Sequence, residues 1–208
     1  MTHIFFDLDG TLINSQNRLY ELFCELCPEC TLTYSEYWEI KRKSISQKKM
    51  LKTYYNYTDE KIETFHNLWI KLIEDPSRLK KDFPVPGIEN ILYNFIKKYT
   101  LHIITNRQND ILTKNQIYNF GWKNIFSDIL ITNQKRSKKE IINKYYHVNQ
   151  NDILIGDTGE DIETAKSLGM ISIAVSWGTL NRQSLSKYEP HIILDKVHEL
   201  FTCGIIQG

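Results

Sequence analysis

Residues 5–14 read FFDLDGTLIN and contain the most informative pattern in the chain. An apolar run ends at two aspartates, Asp7 and Asp9, and a Gly-Thr pair follows them directly. The run is short, rich in residues that favour β-structure and closed by Gly10, which predicts a buried strand that stops at the aspartates. Because two like charges at one strand end repel each other, their placement needs a chemical explanation.

The chain after residue 87 alternates between strand and helix patterns, whereas the segment before it is helical. From about Gln16 to Lys81 apolar residues recur at helical spacing without a convincing strand. The segment FPVPG, which ends at Gly87, cannot continue a helix and predicts a domain junction. The later strand patterns are LHIIT (101–105), DILIT (128–132), DILIGD (152–157), ISIAV (171–175) and a weaker HIILD (191–195).

This alternation predicts an α/β protein with a doubly wound parallel sheet and helices on both faces. We expect residues 1–14 and 83–208 to form that core. The segment 15–82 is expected to form a small all-helical domain inserted into it.

The composition limits the classes of function. The chain has 208 residues, of which 41% are hydrophobic and 25% charged, and its net charge is +1. These values are typical of a globular protein and give no electrostatic case for binding nucleic acid or a membrane. The charged opening and the absence of a long apolar run predict a cytoplasmic protein with reduced cysteines. Cys24, Cys27 and Cys30 lack a well-spaced fourth ligand for zinc, so Cys24 and Cys27 are interpreted as neighbours on one helical face rather than as metal ligands.

Polar residues follow several of the predicted strands directly. They are Asp7 and Asp9 after the first strand, Thr105 and Asn106 after the second, and Asp157 after a later one. In an open parallel sheet, ligands bind at the carboxyl ends of the strands. Helix capping explains one such residue, but it explains a set of them less well.

Three of these carboxylates, on Asp7, Asp9 and Asp157, would converge if their strands were neighbours. A hard cation such as Mg²⁺ neutralises such a cluster, and Mg²⁺ is commonly bound together with substrate phosphate. One carboxylate can then attack phosphorus, and a second one two residues along the strand can transfer protons.

The same strand ends offer donors for a phosphate group. The Thr105 hydroxyl and the backbone N–H groups of Gly10 and Asn106 are candidates. A lysine would balance the charge, and Lys135 and Lys138 both precede a predicted helix.

The segments DLDGTLINS, IITNR and GDTGEDIETAKSLG resemble three motifs of the haloacid dehalogenase superfamily, in its phosphoglycolate-phosphatase-like branch. The resemblance covers nearly the whole chain. It implies a Rossmann-like core with a helical cap and an Mg²⁺-dependent phosphatase of a small phosphorylated metabolite that forms an aspartyl-phosphate. It also implies these roles: Asp7 as nucleophile, Asp9 as general acid and base, Asp7, Asp157 and the Asp9 carbonyl at the metal, and Asp161 as a supporting acid.

The third motif departs from the Lys-Pro form of many relatives, because the chain reads QKRSKKEII here. We favour Lys138 as its lysine, by its spacing to Ile141 and Ile142, with Lys135 as the alternative. In the helical segment, the basic residues 41–43 lie where relatives place a substrate-contacting loop. Our hypothesis is that Arg42 or Lys43 binds a distal anionic group of the substrate, although a solvated helix face explains these charges equally well.

Other functions compete with the phosphatase interpretation. A dehalogenase would lack an acid at Asp9, and a receiver domain would carry its aspartate on a middle strand. A sugar-phosphate mutase is disfavoured because IKRKSIS keeps Lys41 and Ser44 of the mutase loop but not its glycine and arginine. A catalytically silent binding protein of the same fold is the non-enzyme alternative. The sequence leaves open whether the protein is a monomer or a homodimer.

Overall fold

Eight strands form two sheets in the computed structural model, which describes residues 1–206. In chain order they are β1 (His3–Phe6), β2 (Ile13–Asn14), β3 (Phe83–Pro84), β4 (Thr100–Thr105), β5 (Asp128–Ile131), β6 (Ile153–Gly156), β7 (Ile171–Val175) and β8 (Ile192–Leu194).

Ten α-helices and a terminal 3₁₀ helix accompany the strands over the described residues. The first five are α1 (Gln16–Leu26), α2 (Tyr34–Lys41), α3 (Gln47–Tyr55), α4 (Asp59–Leu72) and α5 (Pro76–Leu79). The others are α6 (Ile88–Phe95), α7 (Asp110–Asn119), α8 (Lys138–Tyr145), α9 (Gly159–Ser167) and α10 (Arg182–Ser186), with the 3₁₀ helix at Val197–Phe201.

The large sheet has the strand order β5-β4-β1-β6-β7-β8, and all of its pairings are parallel. The chain therefore starts in the middle of the sheet, fills one edge with β4 and β5, and then returns to the other side of β1 with β6. The predicted doubly wound parallel sheet is confirmed. Its switch in strand order lies at β1, where this class of fold binds its ligands.

Side chains along the central strands point alternately to the two faces of this sheet, and a hydrophobic core lies on each face. Ile4 and Phe6 of β1 belong to one cluster, while Phe5 packs into the opposite one with Ile104 and Leu154. Successive strand residues point to opposite faces, so a continuous apolar strand serves both layers. Phe5 and Phe6 are completely buried, and truncating either to alanine would cost about 3–5 kcal/mol of stability.

Helices α1 to α5 all lie between β2 and β3, and α1 to α4 share a separate core, which includes Phe23, Tyr37 and Phe65. Strands β2 and β3 pair antiparallel, so the two connections of this helical segment to the sheet lie side by side. At the cap signal predicted before α4, the Thr58 side chain accepts a hydrogen bond from the Lys61 backbone N–H. The division into domains at residues 14/15 and 82/83 stays a prediction.

No helix among residues 1–206 combines the length and apolar character needed to cross a bilayer.

Candidate active site

Three polar residues converge at the carboxyl ends of adjacent strands. Asp7 directly follows β1, Thr105 ends β4, and Asp157 directly follows β6. Because β1 pairs with both β4 and β6, the fold brings these side chains to one place. All three line a cavity of about 220 Å³, to which the helical segment contributes Leu19 and Trp69.

A buried lysine lies at the centre of this site. The Lys138 ammonium is 2.5 Å from Asp7 Oδ1 and 2.6 Å from Asp161 Oδ1, and its side chain is 3% exposed. The two carboxylates outweigh the effect of burial and raise the pKa of Lys138 well above its usual value. Lys138 is therefore a permanent cation that orients one oxygen of Asp7.

Local helix-start signals place this ion pair. Lys138 is the first residue of α8, and the start of that helix is fixed by a capping box between Ser137 and Glu140. Asp161 accepts hydrogen bonds from the Thr158 backbone N–H and hydroxyl at the start of α9, at 3.1 and 2.6 Å. Asp161 thus uses one oxygen to hold the start of its own helix and the other to hold Lys138.

Asp157 lies in a tight pocket of glycines. A β-carbon at Gly10 would come within 2.2 Å of Asp157 Oδ2, and one at Gly178 within 2.3 Å. The Thr179 N–H donates a 2.5 Å hydrogen bond to the same oxygen. Glycine also permits the positive φ of +93° at Gly10. Here the glycines permit a close approach of backbone to carboxylate.

The Gly10 N–H donates to the Ile13 carbonyl at 2.8 Å. This contradicts the expectation that Gly10 donates to a phosphate, because its donor closes the turn after β1. Thr105 lies in the cavity as expected, and its hydroxyl oxygen accepts a 3.3 Å hydrogen bond from the Arg107 backbone N–H. The Asn106 side chain also lines the cavity and bonds to Glu160 and Thr132.

The donor set of this site fits a hard divalent cation. Asp7, Asp157 and Asp161 each present a carboxylate oxygen, and these atoms lie within 4.8 Å of one another. Burial and the neighbouring carboxylates raise the pKa of Asp7 well above its usual value and that of Asp157 to about 6, so negative charge here is incompletely balanced. Among the backbone–backbone hydrogen bonds of turns and loops in residues 1–206, none ends at the Asp9 carbonyl. Oxygen ligands of this kind suit Mg²⁺.

Mg²⁺ binding is expected to weaken as the pH falls through about 6, because protons compete for the Asp157 carboxylate. Below that pH, Mg²⁺ has to displace a proton from Asp157, and the apparent affinity for Mg²⁺ falls roughly tenfold for each pH unit. Calorimetric titration of the protein with MgCl₂ between pH 5 and 8 measures this effect. Asp157→Asn should bind Mg²⁺ poorly at every pH, and the exposed Glu63→Gln should follow the wild type. A wild-type affinity that is flat over this range would contradict the assignment.

The Asp9 side chain is held by two arginines. Arg18 Nη2 is 2.5 Å from Asp9 Oδ1, while Arg107 Nε and Nη2 lie 2.5 and 2.8 Å from the two Asp9 oxygens. Burial raises the pKa of Asp9, but the two guanidinium groups outweigh burial and lower the pKa well below its usual range. Asp82, whose side chain is fully buried, also accepts from both arginines. Asp9 therefore stands as a carboxylate in this arrangement.

Sequence reasoning missed Arg18, Arg107 and Asp82. One signal for Arg18 was available, since it lies one helical turn from the buried Leu22 on the apolar face of α1. Arg107 comes two residues after the strand-end Thr105, where a polar residue has a high chance of facing the site. Nothing in the sequence marks Asp82 as their common partner.

The structure does not bring Arg42 or Lys43 to the cavity. The Arg42 guanidinium donates to the Ser176 main-chain oxygen, and Lys43 pairs with the exposed Glu39. Lys135 is exposed and lines a different cavity, of about 670 Å³, beside the edge strand β5. Lys138 is thus the lysine that contacts Asp7.

The cysteines near the end of α1 lie close together without a metal-binding geometry. Cys24 Sγ is 3.6 Å from Cys30 Sγ, and Cys27 is buried in the core of the helical segment. Over residues 1–206, the group of His, Cys, Asp or Glu side chains that lies close enough together to share an ion consists of Asp7, Asp157 and Asp161.

The fold and the site define a doubly wound α/β protein with buried carboxylates and a lysine at the switch point of its sheet. The family model for haloacid dehalogenase-like hydrolases matches residues 4–175, and the chain belongs to this family. Its family membership therefore identifies the protein as a hydrolase.

Known proteins are similar over nearly their full length. A protein of Caldanaerobacter subterraneus subsp. tengcongensis, given the provisional name pyrophosphatase PpaX, is 24% identical over all of this chain and 96% of its own length. A haloacid dehalogenase-like hydrolase from Streptococcus pneumoniae, SP0104, has a TM-score of 0.79 with 21% identity, covering 98% of each chain. A predicted phosphoglycolate phosphatase from Haemophilus somnus 129PT has a TM-score of 0.73 with 18% identity, again over 98% of each chain.

Proposed function

We propose that the protein is an Mg²⁺-dependent phosphatase that hydrolyses a small phosphomonoester through an aspartyl-phosphate at Asp7. One observation carries this proposal: Asp7, Thr105, Lys138 and Asp157 meet in a single cavity. This set supplies a nucleophile, a hydroxyl donor, a fixed cation and a ligand for a metal ion. The phosphatase names of related proteins agree with this chemistry.

The reaction has two displacement steps. A carboxylate oxygen of Asp7 attacks the phosphorus atom, and the bond from phosphorus to the leaving alcohol oxygen breaks as that oxygen takes a proton from Asp9. Asp9 then accepts a proton from a water molecule, whose oxygen attacks the phosphorus of the aspartyl-phosphate. This step releases inorganic phosphate and restores Asp7.

Fixed charges stabilise the transferring phosphoryl group. The Lys138 ammonium beside Asp7 and the Thr105 hydroxyl are positioned before the substrate arrives, so they need little reorganisation during the reaction. Asp7, Asp157 and the Asp9 carbonyl would hold Mg²⁺, which supplies additional neutralisation of phosphoryl charge when bound.

The protonation of Asp9 depends on its arginine partners. While Arg18 and Arg107 both contact Asp9, its carboxylate form is favoured, which suits the step that accepts a proton from water. The earlier step, in which Asp9 gives a proton to the leaving oxygen, requires the protonated form of Asp9. Any movement that withdraws a guanidinium from Asp9 on substrate binding raises its pKa and favours that form.

We further propose that segment 15–82 acts as a cap domain. Trp69 and Ile73 of this segment line the cavity, and Glu74 accepts hydrogen bonds from the backbone N–H groups of Gln108 and Asn109 at 2.7 and 2.9 Å. These contacts cover the strand ends, where exclusion of water protects the intermediate.

Phosphate release from a panel of metabolite phosphomonoesters, with Mg²⁺ and with EDTA, tests the function. We expect release that depends on Mg²⁺ and is strongest for small substrates, because the cavity is only about 220 Å³. If no member of the panel loses phosphate, the phosphatase proposal is wrong. A mutase would instead convert a phosphorylated sugar into its isomer without net release of phosphate, and a silent binding protein would do neither.

A further inference from the structure

We propose that the cavity beside β5 is a docking groove for an acidic, extended segment of a partner protein, which adds to the large sheet as a further strand. This cavity, of about 670 Å³, is called the β5 groove below. It shares no lining residue with the cavity at Asp7, so the inference goes beyond the proposed function and does not depend on it.

The β5 groove follows a free edge of the large sheet. Within residues 1–206, β5 is the terminal strand on its side and pairs only with β4. The Thr132 N–H donates to the Thr105 carbonyl at 3.0 Å on the β4 side. Alternation along the strand therefore turns the backbone N–H and C=O groups of Ile129 and Ile131 away from β4. Such an unpaired edge is a template for another strand.

Helices from both layers of the fold form the walls of the β5 groove. Helix α7 packs on one face of the sheet through Ile117, and α8 packs on the opposite face through Ile141 and Ile142. Between them the groove is lined by the consecutive residues 128–133, which span about 20 Å as an extended chain. This shape suits a single strand whose side chains face α7 and α8 alternately.

The walls of the β5 groove carry more positive than negative charge. Four cationic side chains line it against two carboxylates, an excess of two positive charges. Asp110 accepts a 2.9 Å hydrogen bond from the Asn133 side chain, and Asp128 accepts one from the Tyr146 hydroxyl. Both carboxylates are thus held by neutral donors. Within residues 1–206 no carboxylate forms an ion pair with any of the four cations, which are Lys114, Lys135, Arg136 and Lys144.

This charge selects the occupant of the β5 groove. A second copy of the chain that paired through its own β5 would bring two equal sets of cations together, and like charges across adjacent strands are destabilising. Cations on an edge strand are a common protection against such self-pairing. An acidic strand instead meets opposite charges and gains main-chain hydrogen bonds, as peptides do when they extend an exposed sheet edge.

Four probes test the groove by calorimetric titration. The first is a blocked hexapeptide of alternating glutamate and valine. The second has the same sequence with its two central residues N-methylated, so that at least one N–H needed for strand pairing is missing in either register. The third replaces glutamate by lysine, and the fourth is inorganic triphosphate, a compact anion. The protein variants are Lys135→Met/Arg136→Met and the control Lys48→Met/Lys49→Met, which removes an equally exposed adjacent pair on α3.

We expect the glutamate peptide to bind and the lysine peptide not to bind. Lys135→Met/Arg136→Met should raise the Kd of the glutamate peptide roughly tenfold, whereas the control should change it less than about twofold. Lys135→Glu/Arg136→Glu should reverse the preference in favour of the lysine peptide. Equal affinity for the N-methylated peptide would show attraction by charge alone and would overturn strand addition. Binding of triphosphate without binding of the glutamate peptide at about 1 mM would overturn it as well.

Amide hydrogen exchange followed by NMR locates the bound strand without requiring turnover. In the free protein the N–H groups of Ile129 and Ile131 should exchange faster than that of Leu130, which faces β4. At a glutamate-peptide concentration of about ten times the Kd, their exchange should slow roughly tenfold. Unchanged exchange at both positions in the presence of bound peptide would refute the proposal. Slow exchange in the free protein that becomes faster on dilution would identify a second copy as the occupant and would refute it equally.

Discussion

Replacing Asp7 by asparagine is expected to lower the phosphatase kcat roughly 10⁴-fold or more, because the variant has no carboxylate to attack phosphorus. Asparagine has nearly the same shape, and its amide oxygen can still accept a hydrogen bond from Lys138. Burial raises the pKa of Asp7, which means that its charge is costly in the metal-free protein. We therefore expect the variant to melt no lower than the wild type at pH 7.5 without metal.

The assay for this variant combines phosphate release with detection of the covalent intermediate. Rapid acid quenching followed by mass spectrometry should find one phosphoryl group on the wild-type segment that contains Asp7, and none on Asp7→Asn. Asp59→Asn is the control, since Asp59 is an exposed residue of α4. Substantial turnover by Asp7→Asn would remove Asp7 from the role of nucleophile.

Replacing Lys138 by methionine is expected to damage both catalysis and stability. The change leaves Asp7 and Asp161 buried without their cation, and removal of one partner from a buried ion pair typically costs about 3–5 kcal/mol. The same loss removes a charge that faces the transferring phosphoryl group, so kcat should fall roughly 10²- to 10³-fold.

The pH dependence of this destabilisation has a definite sign. The pKa of Lys138 is raised in the folded state, so its contribution to stability is fully present below its ordinary pKa and is constant from pH 5 to 8. In Lys138→Met, the stranded carboxylates gain protons as the pH falls. The variant should therefore be less destabilised at pH 5 than at pH 8, as measured by urea unfolding.

Lys135→Met is the matched control for this variant. Lys135 is exposed and lines the cavity beside β5 rather than the one at Asp7, so its removal should change stability by less than about 0.5 kcal/mol and leave kcat unchanged. If Lys135→Met were the variant that lost activity, the lysine assignment would be wrong.

Residues at strand ends were predictable because they follow local patterns. Asp7, Thr105 and Asp157 each end an apolar run, and parallel strands place such ends on one edge of a sheet. The helix that begins at Lys138 was also predictable in outline, because Ser137 and Glu140 form a capping signal. These local signals were enough to predict that Asp7, Lys138 and Asp157 meet at one place.

The arginine network could not be derived in the same way. Arg18, Asp82 and Arg107 are far apart in sequence, and their contacts depend on how the helical segment packs on the sheet. The Gly10 donor was misassigned because the turn after β1 uses that N–H internally. The proposed Arg42 contact depended on a position borrowed from relatives, and here its guanidinium instead binds the backbone at Ser176.

The paired strands β2 and β3 have an evolutionary consequence. The chain leaves the sheet at Asn14 and returns at Phe83, and these two residues are partners in one antiparallel pair, with Cα atoms roughly 5 Å apart. A segment that departs and returns at adjacent points can be lengthened, shortened or exchanged with little change in the entropy of closing the loop. Recombination at this one junction would replace Arg18 and Asp82 together while keeping Asp7, Lys138 and Asp157. A lineage could thereby acquire a new substrate in a single genetic event without rebuilding its hydrolytic chemistry.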